Sequence, residues 1–191
     1  KTMPEEINRV LVDHCSDLLF CPSQTEVNFL GNEHVSSGVY LTGDVMVDTL
    51  MSNKANIEKA GVLNDLSLVN KDYIVATIHR PINTDSKENL ESIVDTLCHI
   101  REAVVFPIHP RTEKFLKEYG LFTRLMTKVK LVKPLSYFNF LKLLSCSKLV
   151  LTDSGGVQKE AYILGIPCIT LRTNTEWVGT VSEGWNVLAG V

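Results

Sequence analysis

The chain has 191 residues, 45% of them hydrophobic and 21% charged, which excludes a disordered tail, a collagen-like fibre or a disulfide mini-protein. No run of about 18 apolar residues is present to form a membrane span. With 19 lysines and arginines against 22 acidic residues, the net charge of −3 argues against a nucleic-acid polymer as partner, while leaving room for a local basic pocket for one small anion.

Residues 4–14 read as a helix, with Pro4 near its first turn and Glu5 and Glu6 at the positive end of its dipole. A short strand over 17–20, a helix over 25–30 and a strand over 39–41 follow. Gly43 marks a turn before a helix over about 45–59, and the polar stretch 64–70 closes this irregular region. From Asp72 onward, apolar strands alternate with amphipathic segments. Strands are expected over 73–78, 104–108, 129–132, 149–152 and 167–171. Helices are expected over 89–100, 112–119, 137–144 and 157–164. The helix over 89–100 is the clearest, because Leu90, Ile93, Val94, Leu97 and Ile100 recur at 3/4 spacing. Strands separated by helices make βαβ units, so the expected fold is α/β: a Rossmann-like parallel sheet with helices on both faces. Five cysteines, Cys15, Cys21, Cys98, Cys146 and Cys168, include no CxxC pair. Neither a zinc site nor a disulfide framework is expected. Their apolar neighbours suit buried free thiols in a reducing, cytoplasmic setting, and no signal peptide is visible.

The most informative stretch is Leu151-Thr152-Asp153-Ser154-Gly155-Gly156-Val157-Gln158-Lys159-Glu160-Ala161. It reads as strand, Ser-Gly-Gly turn, helix. That order places free backbone N–H groups and the positive end of a helix dipole at the carboxyl edge of a parallel strand, where phosphate binds. Glycine lets an anion approach closely, Ser154 adds a hydroxyl, and Glu160 can accept from ribose hydroxyls. The plainer alternative is a turn that merely joins strand to helix. His79-Arg80 and His109 each follow a strand, at the sheet edge where open α/β folds place ligands, and can hold a diphosphate or simply sit in solvent. Arg172, with Thr175 and Glu176 close behind, follows the last expected strand. Tyr137 and Phe140 are base-stacking candidates, although an aromatic at helical spacing more often belongs to the core.

Several segments together resemble the non-hydrolysing UDP-N-acetylglucosamine 2-epimerases. They are Met3-Pro4-Glu5-Glu6-Ile7-Asn8-Arg9, Leu41-Thr42-Gly43-Asp44-Val45 with Asp48, Thr77-Ile78-His79-Arg80, Pro107-Ile108-His109, the Ser-Gly-Gly segment, Leu171-Arg172, Thr175-Glu176 and Glu183-Gly184. They come in family order across nearly the whole chain. The resemblance implies half of a GT-B-type two-domain fold. Residues 1–42 would be the remnant of an N-terminal Rossmann-like domain, 43–70 a linker helix and connection, and 71–191 a C-terminal UDP-binding domain truncated at its end. The remnant should expose an apolar surface, and the chain alone should not turn over. The implied activity interconverts UDP-N-acetylglucosamine and UDP-N-acetylmannosamine by eliminating UDP to a 2-acetamidoglucal and adding it back, supplying surface-polysaccharide precursors. It needs no metal and no redox cofactor. The partner is a UDP-sugar, with no nucleic acid and no membrane, and a homodimer is allowed for the intact protein.

By position, Glu5 corresponds to a proton-handling carboxylate and His79 to a catalytic histidine near the diphosphate. Arg80 and His109 accompany it as substrate-binding residues. Ser154, Gly155 and Gly156 correspond to the phosphate loop, Glu160 to the ribose contact, Phe140 to the uracil-stacking aromatic, and Arg172 and Glu176 to cleft residues. Four departures stand out. Lys159 replaces a common Glu and is expected on the outer helix face. Trp177-Val178-Gly179 replaces Arg-Pro-Glu, which loses an arginine and a carboxylate and points towards a UDP-sugar uronic acid or a 3-substituted amino sugar. Ile82-Asn83 replaces Glu-Asn, and Asp44 replaces Asn. A UDP-sugar-dependent GT-B glycosyltransferase and a non-enzymatic nucleotide-sugar sensor remain as alternatives.

Overall fold

The computed structural model describes residues 4–190, with side chains from residue 6 onward. The chain divides into two compact units, Lys1–Asn53 and Lys54–Val191.

The first unit runs α1 (Pro4–Cys15), β1 (Leu19–Cys21), α2 (Gln24–Asn32), β2 (Val39–Leu41) and α3 (Val45–Ser52). β1 and β2 pair in parallel, Leu19 opposite Val39. Leu19, Cys21 and Leu30 form a small core with Val27, Val35 and Val39. Side chains alternate across a strand, so Phe20 lies on the opposite face; there it is 66% exposed, its ring 6.2 Å from that of Tyr40. Ile7, Leu11, Val12, Leu18, Phe29 and Leu41 are exposed as well, the apolar surface expected of this region. The strand expected over 17–20 starts later and reaches Cys21, whose side chain is buried. Helix α2 is set by Ser23, which accepts from Thr25 N at 3.1 Å. Asp44 caps α3 in the same way, accepting from Met46 N at 2.8 Å. Asparagine and aspartate cap equally well, so this departure from the family pattern costs the helix nothing.

The second unit begins with α4 (Lys54–Lys59) and α5 (Val62–Asp65). The single helix expected over 45–59 is thus two, interrupted at Asn53, which caps α3. Then come β3 (Tyr73–Thr77), α6 (Pro81–Thr84), α7 (Lys87–His99), β4 (Ala103–Pro107), α8 (Pro110–Glu118), α9 (Phe122–Met126), β5 (Lys130–Val132), α10 (Tyr137–Ser145), β6 (Leu149–Thr152), α11 (Gly155–Ile163), β7 (Cys168–Thr170), α12 (Val178–Ser182) and β8 (Asn186–Leu188). Among the described residues these strands form one six-stranded sheet, order β5-β4-β3-β6-β7-β8, with every pair parallel. The expected α/β class is the observed one.

Burial follows the period-2 rule on both faces. Ile74 and Ala76 of β3 pack with Leu90, Ile93, Val94 and Leu97 of α7, Leu116 of α8 and Leu125 of α9. Tyr73 and Val75 face the other way, onto Leu143 and Leu144 of α10, Ala161 of α11 and Val62 of α5. The helices after β3 and after β6 therefore leave on opposite faces, and a crevice opens between neighbouring strands at this reversal of order. The cysteines are all free. Cys21 and Cys168 are buried as expected, whereas Cys15 is exposed and Cys98 and Cys146 are intermediate. None of the helices among the described residues is long and apolar enough to cross a membrane.

Candidate active site

The carboxyl ends of β4, β3, β6 and β7 lie side by side, and each carries polar residues singled out above. At the end of β6, Thr152 Oγ1 accepts from Ser154 N at 3.0 Å and shares a 2.6 Å hydrogen bond with Thr77 Oγ1 of β3. Ser154 is the N-cap of α11 in extended backbone, and its side chain makes no capping bond. Gly155 and Gly156 are the first helical residues, so the helix starts two residues before the expected 157. Their N–H groups belong to the turn that has no intrahelical partner.

A Cβ on Gly155 would collide with Glu176 Oε1. The Glu176 carboxylate thus rests against the helix start, a position that favours negative charge. Arg172, only 7% exposed, sends Nη1 to 3.0 Å from Glu176 Oε2, and its Nη2 donates to Asn174 Oδ1 at 3.1 Å. Trp177 Nε1 donates to the Gly155 carbonyl at 2.7 Å. Gln158, buried in α11, accepts from Thr175 Oγ1 at 2.6 Å and from Asn186 Nδ2 at 3.2 Å. These bonds tie the 173–177 loop to the helix start and to β8.

On the β3 side, Asp153 is 0% exposed. Its oxygens accept from His79 N at 3.0 Å, Arg80 N at 2.8 Å and Asn83 Nδ2 at 3.0 Å. His79 Nδ1 lies 3.7 Å from Asp153 Oδ1, and the His79 and His109 rings are 5.5 Å apart. Burial holds the His79 imidazole below its ordinary pKa. Asp153 opposes that shift, whereas His109 and Arg80 add to it. His109 is also the N-cap of α8: its Nδ1 accepts from Arg111 N at 3.1 Å, and Pro110 occupies the first turn.

Glu160, 8% exposed, accepts from the Tyr137 hydroxyl, and burial pushes its carboxyl above the usual range. Tyr137, rather than Phe140, is the aromatic that touches a site carboxylate. Phe140 is half-buried against the Tyr73–Val75 side of the core.

One contiguous set therefore runs His109, His79, Arg80, Asp153, Ser154, Gly155, Glu176, Arg172. Glu160 lies on α11 below it. Glu5 lies in α1, its side chain outside the described residues.

The family model for UDP-N-acetylglucosamine 2-epimerase matches residues 1–191. The chain belongs to the UDP-N-acetylglucosamine 2-epimerase family. It is 50% identical over its whole length to a UDP-N-acetylglucosamine 2-epimerase homolog of Methanococcus maripaludis, of which it covers 54%. It is 42% identical to the UDP-2,3-diacetamido-2,3-dideoxy-D-glucuronate 2-epimerase of Pseudomonas aeruginosa, with 98% of this chain and 52% of that one covered. A crystal structure of Methanocaldococcus jannaschii UDP-GlcNAc 2-epimerase, in complex with UDP-GlcNAc and UDP, superposes with a TM-score of 0.91 at 45% identity, over 98% of this chain and 54% of that one. The chain spans about half the length of the curated relatives it matches.

Against the 2-epimerase pattern, the departures acquire places. Ile82 is 61% exposed, whereas the retained Asn83 is buried and bonded to Asp153 and to the Leu171 carbonyl. Lys159 is half-buried and outside the buried set of α11, and its Nζ lies 3.8 Å from the centre of the Trp177 ring. The two replaced positions touch, as a cation–π pair. Asp153, Asn83 and Gln158 were given no role by sequence reasoning. The signal for Asp153 was a carboxylate at the buried end of an apolar strand, directly before Ser-Gly-Gly.

Proposed function

We propose that this chain carries the UDP-binding half-site of a non-hydrolysing UDP-sugar 2-epimerase built on a GT-B-type two-domain plan. The observation that carries the reading is the α11 start beside the strand-order reversal, flanked by His79, Arg80 and Arg172. In this reading the free N–H groups of Gly155 and Gly156 and the Ser154 hydroxyl hold the diphosphate, and Glu160 accepts from the ribose. Phe140 stacks on the uracil, and Arg172 and Glu176 line the cleft. His109 and Arg80 complete the cationic side. Residues 1–42 belong with an N-terminal domain, 43–70 connect, and 71–191 hold the nucleotide. The intact protein acts in the cytoplasm, allows a homodimer and feeds surface-polysaccharide synthesis.

The chemistry inverts C2. The C2 proton is barely acidic, so its removal is coupled to departure of UDP from C1, which leaves a 2-acetamidoglucal. Re-addition of UDP with protonation on the other face completes the change. Concentrated positive charge at the diphosphate lowers the cost of the first step. A carboxylate such as Glu5 moves the proton.

Calorimetry with UDP on this chain tests the reading. Binding is expected, and Arg172→Ala is expected to weaken it by about tenfold; absence of binding would overturn it. The chain alone is expected not to epimerise, since it carries half of the facing groups. An intact enzyme is expected to convert UDP-N-acetylglucosamine without acceptor and to take up deuterium at C2 in heavy water. A transferase or a sensor does neither.

A second reading concerns the sugar. Trp177-Val178-Gly179 in place of Arg-Pro-Glu, together with the Pseudomonas aeruginosa relative, favours a UDP-diacetamido uronic acid as substrate. Competition between the two UDP-sugars in the same calorimeter decides.

A further inference from the structure

We propose that Asp153 is the positioning residue of this site: its buried carboxylate fixes the turn from His79 to Asn83 and stands against the His79 ring, so that the imidazole is held at this strand edge ready to carry a proton when the diphosphate arrives. The proposal rests on the reading of this edge as a UDP site. Its geometric basis is independent of it.

Asp153 is wholly buried, so it reaches no ligand itself. Whatever it does to one passes through the residues it binds. Those residues are the backbone N–H of His79 and Arg80 and the side chain of Asn83, all on the connection from β3 to α6. Asn83 also donates to the Leu171 carbonyl, 3.1 Å away, beside Arg172. One carboxylate therefore locks together the ends of β3, β6 and β7. The same carboxylate stands 3.7 Å from His79 Nδ1, too far for a hydrogen bond and close enough for ion pairing. Two other groups bear on this imidazole electrostatically. His109, from the β4–α8 connection, and Arg80, its neighbour, both oppose protonation, as does burial, and Asp153 alone among the three favours it. An incoming diphosphate adds negative charge on the open side. The imidazole then has a second anionic neighbour besides the Asp153 carboxylate.

The test is an NMR titration of the His79 ring in this chain, in the parent and in Asp153→Asn. The amide keeps an acceptor for the loop and removes the charge, so His79 is expected to titrate at lower pH. His109→Asn keeps an N-cap for α8 and is expected to move the titration the opposite way. An unchanged His79 titration in folded Asp153→Asn overturns the proposal. Should that variant not fold, the Asp153 carboxyl carbon of the parent decides: an inflection at the pH where His79 titrates supports the coupling, and its absence overturns it.

UDP calorimetry on the same samples separates the two readings. A parent that fails to bind UDP removes the assigned ligand, while the titration still decides the Asp153–His79 coupling. Where UDP binds, Asp153→Asn is expected to weaken it by about tenfold near neutral pH and to recover as the pH falls through the His79 titration. A loss that is the same at every pH overturns the proposal.

Discussion

The clearest polar investment at the scale of single residues is Glu160. It is buried in α11 with the Tyr137 hydroxyl as partner, and desolvation holds its carboxyl above the ordinary range. The unfolded glutamate releases its proton first as pH rises. Between its ordinary pKa and the raised one, the folded chain binds more protons, so stability falls as pH climbs through that window. Above the window the buried charge opposes folding in full. Glu160→Gln is therefore expected to raise the melting temperature at neutral pH and to leave it unchanged at strongly acid pH. The same variant is expected to weaken UDP binding by about tenfold, since a neutral acceptor replaces a charged one. Thermal melts across pH and a UDP titration check both halves. A stability gain at acid pH would contradict the burial argument. The site was partly readable from the chain at this scale. Ser154, Gly155 and Gly156 announce themselves because the chemistry is local: a strand end, two glycines and a helix start within a few residues. Asp153 did not, because its partner His79 is 74 positions away.

Among elements, length decided what could be read. Helix α7 spans nearly four turns, so its apolar face repeats often enough to be recognised, and the observed bounds differ from the expected ones only at the ends. Ser86 explains the earlier start, accepting from Asn89 N at 3.2 Å. Helices α5, α6, α9 and α12 have four or five residues each, too few for a period to show. Strand β8 has three residues, and the polar Asn186 within it obscures the apolar run; that asparagine is buried because Gln158, Thr170 and Thr180 satisfy it. Helix α10 joins both concerns. Its Leu144 is fully buried against the sheet, while its Tyr137 meets Glu160. Leu144→Ala is expected to cost about 3 kcal/mol in urea unfolding, the transfer and cavity terms of one buried leucine. A cost under about 1 kcal/mol would mean that the site collapses around the gap.

For the whole molecule, the two units stand in contrast. The second buries both faces of a parallel sheet, as such sheets require. The first has a two-stranded parallel sheet covered by α2 on one face, with Phe20 and Tyr40 exposed on the other. The apolar surface was expected from the family resemblance rather than from pattern, since three-residue strands carry too little alternation to show which side lacks a cover.

The strand order has a kinetic consequence. Every pairing in the large sheet is parallel and joins strands that are not hairpin neighbours, and the central one brings residue 74 against residue 149. Such loops must close before their contacts reward them, which makes assembly slow. The edge proposed to hold UDP depends on that central pairing, so it is among the last features to exist. In refolding from urea, helical circular dichroism is expected to return early and UDP binding only with the slowest phase. UDP binding that preceded that phase would show that the edge forms before the sheet does.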